Sequence, residues 1–133
     1  MLSPDFKKYS LALIKDNNIV FSSDKSGLRP LIECINECKS KFKDCILHDK
    51  VVGLAAARLI IYSNIISLVI TDLASKPAEG LLNKNSVIVK AQKIVDNILT
   101  KDKSAICPME LKAQRIDNNE DFFSEINNIF YPL

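Results

Sequence analysis

Three side chains that can do chemistry lie in consecutive positions at His48, Asp49 and Lys50, and the histidine is the one histidine of the chain. They follow the apolar residues 45–47 and precede an apolar, alanine-rich stretch that begins at Gly53. An aspartate at the carboxyl end of a buried strand can orient a ligand or act as a general base, and a neighbouring lysine can contact an anionic group. An aspartate at such a joint is also a preferred helix cap, so a purely structural role stays open.

His48 and Cys107 are further candidates. Alternation along a strand makes His48 point away from Asp49, which favours a structural histidine over a catalytic one. Cys107 precedes Pro108 at the start of a predicted helix, where the helix N-terminus can make a thiol reactive. The alternative for Cys107 is a buried, inert residue of the core.

The hydrophobic pattern predicts the elements that position these residues. Two apolar runs separated by Asp16-Asn17-Asn18 indicate a β-hairpin, and strands then alternate with helices. This alternation is typical of an α/β fold with parallel strand pairs and right-handed crossovers. The predicted strands are 9–15, 19–22, 45–47, 65–71 and 86–89. Five helices are also predicted. They are a helix that Pro30 begins, a helix over 53–62, a helix capped by Ser75, a helix over 108–115 and a helix with a capping box at Asp117 and Glu120.

Composition narrows the classes of function. A chain of 133 residues with 47% hydrophobic residues can bury one core, so we expect a single domain over residues 1–133. Lys and Arg number 18 against 16 for Asp and Glu, without a basic stripe, so we expect no nucleic-acid partner. The start shows no secretory signal, which predicts a cytoplasmic protein. Arg58 and Asn64 interrupt the apolar run 51–73, which argues against a membrane span.

The cysteine and histidine spacing does not complete a metal site. With one histidine and no CxxC pair, the chain lacks the ligand pattern of a structural zinc site. We therefore expect no metal and no cofactor, and free thiols at the four cysteines. These are Cys34, Cys38, Cys45 and Cys107.

Three motifs resemble those of a small prokaryotic family, domain of unknown function 1893. They are Gly-Leu-Arg-Pro-Leu at 27–31, Asp-Lys-Val-Val-Gly at 49–53 followed by three alanines at 55–57, and Cys-Pro-Met-Glu at 107–110. The resemblance covers residues 9 to 126. It implies a cytidine deaminase-like fold with three layers, α-β-α, and a five-stranded mixed sheet in the order 2-1-3-4-5, and it implies no assigned activity.

The chain departs from true zinc deaminases at both places where they bind the metal. Those enzymes hold zinc at two adjacent helix N-termini, through an H-x-E motif and a P-C-x-x-C motif. Here the first helix start, 26–30, contains no His, Cys or Glu, and the second, 48–53, contains no Cys. Deamination by the usual zinc mechanism is therefore not expected.

Two helix starts at one crevice would still favour an anionic ligand, because they carry free backbone N–H groups and partial positive charge. Gly27 and Gly53 would let the ligand approach the backbone, and Arg29 and Lys50 would add charge-assisted contacts. The predicted ligand-binding residues are Ser26, Gly27, Arg29 and Gly53, and the predicted catalytic residues are Asp49, Lys50 and Cys107.

Three functions stay open at this stage. The first is binding of a nucleotide or a similar anionic small molecule at the two helix starts. The second is a metal-independent enzyme that uses Asp49, Lys50 and Cys107 as base, electrophile or nucleophile. The third is a structural or partner-binding protein with an exposed apolar patch. The sequence also leaves homo-oligomer formation open.

Overall fold

The computed structural model describes residues 1–99 and 106–132, which form six strands and five helices. An α/β fold with a mixed sheet is therefore confirmed. In chain order the elements are β1 (Leu11–Lys15), β2 (Asn18–Ser23), α1 (Arg29–Cys38), β3 (Cys45–Asp49), β4 (Val51–Val52), α2 (Leu54–Ser63), β5 (Ile66–Ser75), α3 (Lys76–Lys84), β6 (Ile88–Val95), α4 (Pro108–Arg115) and α5 (Asn119–Phe130).

The six strands form one mixed sheet in which β5 is central. β1 pairs antiparallel with β2 and with β3, whereas β3, β4 and β6 all pair parallel with β5. The predicted count of five strands was wrong because the chain turns at Lys50 and continues along the same edge of β5 as the two-residue strand β4. The turn is fixed by the Lys50 backbone, whose N–H donates to the Ser10 carbonyl at 3.0 Å and whose carbonyl accepts from the Leu73 N–H at 3.3 Å.

Alternation divides the strand side chains between two faces. Leu13, Leu47 and Val69 are in register on one face and belong to the hydrophobic core that the helices share. Ala12 and His48 face the other way and are fully buried outside that core. His48 therefore points away from the neighbouring Asp49, as the alternation predicts.

All four other helices contact α2, which makes it the centre of the helical part. α1, α2 and α3 also contact the strands, because successive right-handed crossovers that move across a sheet in one direction place their helices on one face. α4 and α5 pack on α2. In the described residues the helices thus form two layers on one face, where the resemblance predicted a sheet between two helical layers.

Local capping rules explain most helix starts. Ser75 caps α3 as predicted, and its hydroxyl accepts the Ala78 N–H at 3.2 Å. α4 begins at Pro108, also as predicted. The predicted cap of α5 at Asp117 was wrong, since the Asn118 side chain accepts two first-turn N–H groups, at 2.7 and 3.1 Å. Both residue types are good caps, so the pattern could not fix the start to one residue.

The N-terminal segment (residues 1–10) has no regular helix or strand but is tied to the sheet. The Leu2 N–H donates to Asn17 Oδ1 at 3.0 Å, and the Tyr9 hydroxyl lies 2.8 Å from His48 Nδ1. Tyr9 was predicted to begin the first strand, which instead begins at Leu11. This segment contacts the buried His48 on the face of the sheet that is opposite the helices.

The apolar run 51–73 does not form a membrane span. It divides into β4, α2 and most of β5, as the predicted change from helix to strand requires. Within the described ranges, no helix has the length and apolar character needed to cross a bilayer.

Arg58 of α2 holds the C-terminal helices in place. It is 5% exposed, its Nε donates to Asn119 Oδ1 at 2.8 Å, and its Nη1 donates to the Ala113 carbonyl at 2.8 Å and to the Ile116 carbonyl. The guanidinium also lies over the Phe122 ring, 4.8 Å from its centroid. The planar guanidinium group therefore donates hydrogen bonds to acceptors at both the end of α4 and the start of α5.

We expect Arg58→Lys to lower the free energy of unfolding by about 2 kcal/mol, because an ammonium cannot reach all three acceptors and leaves buried carbonyls unpaired. Arg115→Lys on the exposed side of α4 is the matched control and should change stability by less than about 0.5 kcal/mol. Urea unfolding measures both. Equal losses in the two variants would contradict the role assigned to Arg58.

Candidate functional site

A cavity of about 710 Å³ opens at the carboxyl end of β3. Its walls come from six parts of the chain: residues 6–10, the loop before α1, the β3–β4 turn, the start of α2, Ile98 after β6, and the start of α4. The carboxyl ends of strands are where open α/β sheets commonly bind ligands. The walls are mostly apolar.

The cavity brings together six of the seven predicted site residues, which are Ser26, Gly27, Asp49, Lys50, Gly53 and Cys107. Arg29 does not line it. The Arg29 guanidinium lies over the Phe130 ring of α5, 4.9 Å from the centroid, where a cation is attracted to an aromatic face. The prediction that Arg29 faces the ligand was therefore wrong, because its guanidinium packs on the Phe130 ring of α5.

Glu110 occupies the start of α2. It is 7% exposed; its Oε2 accepts the Leu54 N–H at 2.7 Å, and its Oε1 accepts the Ala55 N–H at 3.0 Å. A carboxylate at a helix N-terminus is stabilised by the unpaired N–H groups and by the helix dipole. The first-turn donors of α2, which were predicted to be free for an anionic ligand, are thus bound by the protein's own side chain.

From the sequence, Glu110 was placed only in the 107–110 motif and in the predicted helix over 108–115. One feature of the sequence could have indicated a contact with α2. The N-cap of α2 is Gly53, which has no side chain to cap the helix. The N–H groups of such a helix start need an acceptor from another part of the chain, from water or from a ligand. The pattern gives no indication of which residue supplies it.

Gly53 is required by this contact. A Cβ added at Gly53 would lie 2.7 Å from Cδ of Glu110 and 2.7 Å from Cγ1 of Ile98, well inside van der Waals contact. The close approach predicted for a ligand is therefore made by Glu110 and Ile98. Gly27 has a different reason for being glycine, since its φ of +70° is in the left-handed region and the space around it is open.

Two buried carboxyl groups share the cavity. Burial raises the pKa of Asp49 well above its usual value, and the backbone N–H groups of Val51 and Lys50 offset this only in part. Burial likewise raises the pKa of Glu110, against the opposing effect of its hydrogen bonds to α2. Asp49 remains partly exposed as a residue, yet its carboxyl group is surrounded by protein. A protonated carboxyl group can donate as well as accept a hydrogen bond.

The rim of the cavity is positively charged. Four exposed lysines and one exposed aspartate line it, and Lys25 pairs with Glu33 at 2.9 Å. An anionic group at the rim would meet these ammonium groups, while a ligand deeper in the cavity would meet apolar walls and the two carboxyl groups. The lining lysines are Lys7, Lys8, Lys25 and Lys50, and the aspartate is Asp24.

Cys107 reaches the cavity, which the sequence could not decide. It is partly exposed, whereas Cys34, Cys38 and Cys45 are buried. Its N–H donates to the Ile98 carbonyl at 3.1 Å, which fixes the start of α4 against the strand side of the cavity. The alternative that Cys107 is a buried residue of the core is therefore wrong, and the reactivity of its thiol stays a prediction.

The cavity residues do not fit a catalytic zinc ion. Such a site needs about three ligands around one open position. Within residues 1–99 and 106–132, no group of three or more His, Cys, Asp or Glu side chains is placed to hold a metal. His48 lies on the far face of the sheet with Nδ1 bonded to Tyr9, and Glu110 is engaged with α2.

Comparison with known families agrees with the motifs. The family model described as TM1506, domain of unknown function (DUF1893), matches residues 5–130. The chain belongs to the DUF1893 family. The match takes in every element that lines the cavity, from residues 6–10 to the start of α4.

The chain is also similar to a solved structure of this family. That structure is the crystal structure of the DUF1893 family protein TM1506 from Thermotoga maritima, with 26% sequence identity and a TM-score of 0.79. The similarity covers 93% of this chain and 82% of that chain. The comparison with curated proteins finds no match.

We expect Gly53→Ala to destabilise the protein by about 1–3 kcal/mol, because its Cβ would overlap Glu110 and Ile98. Gly80→Ala is the control: it lies in α3 with open space around it, so the change should stabilise by about 0.5–1 kcal/mol. Placing Gly53→Ala in a Glu110→Ala background should reduce its cost, since half of the overlap is then gone. Additive free energies of unfolding in this double-mutant cycle would contradict the proposed contact.

The raised pKa of Asp49 predicts a pH dependence of stability. The folded chain keeps a proton that the unfolded chain releases near pH 3.8, so stability falls as pH rises from there through the folded value. Asp49→Asn keeps an acceptor for the backbone N–H groups and removes this titration. It should therefore flatten the decline, whereas Asp72→Asn on the exposed part of β5 should not. Urea midpoints between pH 4 and 8 test this, and parallel curves for wild type and Asp49→Asn would contradict it.

Proposed function

We propose that the protein binds a nucleotide-like anionic small molecule in the cavity at the carboxyl end of β3. The proposal rests on how the lining residues change from the mouth of the cavity inwards. Lysines lie at the rim, the inner walls are apolar, and two buried carboxyl groups lie on those walls. A volume of about 710 Å³ suits a molecule of that size.

Each part of a nucleotide has a counterpart in this arrangement. Phe6 and Met109 offer apolar surface to a planar base. Asp49 can pair with the polar edge of that base, because a carboxyl group can both donate and accept. Lys50, at the mouth beside Asp49, can contact the phosphate.

The proposal includes a relation to the cytidine deaminase-like fold without its zinc chemistry. The strand order β2-β1-β3-β5-β6 and the two helix starts after β2 and after the β3–β4 turn support this relation. Under this proposal, Gly53 and the Glu110 carboxyl group correspond to the position at the second helix start where zinc deaminases hold a metal ligand; the contact between Glu110 and the start of α2 supports it. The recognition chemistry is therefore hydrogen bonding and charge.

A second candidate function is a metal-independent enzyme. It is favoured by one observation, that Asp49, Lys50 and Cys107 line the same cavity. A base, a cation and a thiol together can support acyl or group transfer. An Asp49→Asn protein that binds the ligand normally and loses its turnover would establish this function; a protein that loses binding and turnover together would count against it.

The binding proposal is tested by thermal stability against nucleosides, their monophosphates and inorganic phosphate. We expect the monophosphates to raise the melting temperature more than the parent nucleosides, and Lys50→Ala to weaken the binding about tenfold, the effect of one lost charge-assisted contact. Lys84→Ala is the control, because Lys84 ends α3 away from the cavity.

Either of two results would contradict the proposal. One is the absence of any shift with the phosphorylated compounds. The other is a loss in Lys84→Ala equal to that in Lys50→Ala, because binding would then follow net charge and not the cavity.

A further inference from the structure

The one histidine of the chain holds a wall of the cavity from behind the sheet. His48 is fully buried, its Nδ1 lies 2.8 Å from the Tyr9 hydroxyl, and the two rings are 6.1 Å apart and 19° from parallel. Residues 5–10, which we name the N-terminal strap, contain Tyr9. Residues 6–10 of the strap line the cavity. The Tyr9–His48 contact therefore connects a buried residue of β3 with the cavity wall.

The hydrogen bonds around Tyr9 favour one tautomer of the neutral His48 ring. The Asp5 N–H donates to the Tyr9 hydroxyl oxygen at 3.1 Å. Because the hydroxyl oxygen already accepts this bond, the geometry favours the Tyr9 O–H as donor to His48 Nδ1, and the neutral ring then carries its proton on Nε2. Nε2 is buried and, within the described part of the chain, has no hydrogen-bond partner.

The strap is folded on the same tyrosine. The N–H groups of Lys8 and Tyr9 both donate to the Asp5 carbonyl, at 3.0 and 3.3 Å. With the Asp5 N–H bonded to the Tyr9 hydroxyl, the strap forms a closed turn with its polar groups directed inward. Ser10, at the end of the strap, stays bonded to the sheet, because its N–H donates to the Ser23 carbonyl at 2.9 Å and its carbonyl accepts the Lys50 N–H at 3.0 Å. Loss of the Tyr9–His48 bond therefore frees the turn over residues 5–9 and leaves Ser10 in place.

The surroundings of His48 offer no place for a positive charge. Ala12 of β1 and Ile70 of β5 flank it in register, and neither titrates. Asp49 points to the other face of the sheet. The titratable and charged groups on the side of the ring are the Tyr9 hydroxyl and the side chains of Asp5, Lys7 and Lys8 in the strap, Asp72 two residues after Ile70 on β5, and Lys90 beyond Ile70 on β6.

We propose that the N-terminal strap is a pH-dependent wall of the cavity, which opens when His48 is protonated. A proton on Nδ1 removes the acceptor of the Tyr9 hydroxyl and leaves a charged ring without a buried acceptor. Lifting the strap exposes the ring to water and at the same time removes Phe6 and Tyr9 from the cavity. The inference goes beyond the proposed function, and its test needs no ligand.

The direction of the pH dependence follows from linkage. Burial lowers the pKa of His48 in the closed form, whereas in the open form the ring titrates near its ordinary value of about 6.5. The opening equilibrium is therefore constant above about pH 6.5 and rises up to about tenfold per pH unit below it, until the closed form also takes up the proton. Lower pH thus favours the open cavity.

Hydrogen exchange of the full chain measures the opening directly. The amides of Asp5, Lys8 and Tyr9 are hydrogen-bonded within the turn that the Tyr9–His48 contact stabilises, so their protection factors report its opening. We expect these factors to fall up to about tenfold per unit as pH drops below about 6.5. The imidazole signals of the one histidine should titrate over the same range.

Two variants separate His48 from the other titrating groups. His48→Asn places an amide oxygen near the Nδ1 position and cannot titrate, so its protection factors should not depend on pH. Tyr9→Phe keeps the ring and removes the bond, so its strap should be open at every pH, with a His48 pKa closer to the ordinary value.

Alkylation of Cys107, expressed as the ratio of wild-type to His48→Asn rates, should rise at low pH because the thiol lines the same cavity.

Several results would overturn the proposal. One is wild-type protection of the strap that is constant from pH 7.5 to 5. Another is a fall of equal size in His48→Asn, which would show that His48 is not the group whose titration opens the strap. If His48→Asn does not fold, pH-dependent protection that persists unchanged in Tyr9→Phe would overturn it equally, because that variant has no bond to His48 to lose.

Discussion

The hydrogen bonds from the start of α2 to the Glu110 carboxyl group hold the site together. α2 is the helix that all the other helices contact, and its N-cap is a glycine that cannot cap it. The acceptor comes from α4, so the C-terminal part of the chain is fixed over the carboxyl end of β3 and closes one side of the cavity. Glu110 and Ile98 both approach Gly53 closely, and the Cys107 N–H donates to the Ile98 carbonyl.

The same contact shows how the cavity differs from a zinc site. Where a metal could be held at a helix start, this chain has placed a carboxyl group of its own, and the neighbouring Asp49 is a second buried carboxyl group. Burial raises the free energy needed to ionise both groups. Binding and catalytic sites typically contain such groups, although they lower the stability of the fold. The lysines at the rim add the opposite charge at the surface, where it costs little.

Local rules were enough to predict much of the fold. Ser75 and Pro108 begin their helices as expected, and the alternation of apolar residues placed His48 and Asp49 on opposite faces. β4 was missed because a strand of two residues has no period to detect. The assignment of Asp117 as a cap failed because Asn118 beside it is an equally good one.

The candidate site could be predicted only in part, because its defining contacts are distant in sequence. Six of the seven predicted residues line one cavity, because they lie near the ends of strands and the starts of helices that meet there. Glu110 reaches α2 across more than 50 positions of the chain, and Arg29 is drawn to Phe130 near the other end of the chain. Neither pairing has a periodic signal. Tertiary packing decides both.

The central claim is that a phosphorylated, base-containing ligand occupies the cavity, and amide chemical-shift mapping during titration with cytidine and adenosine monophosphates tests it most directly. The account predicts shifts concentrated in residues 24–28, 49–53 and 107–110, with the phosphate-dependent part lost in Lys50→Ala. Shifts spread over the surface lysines, or centred on another part of the sheet, would contradict it.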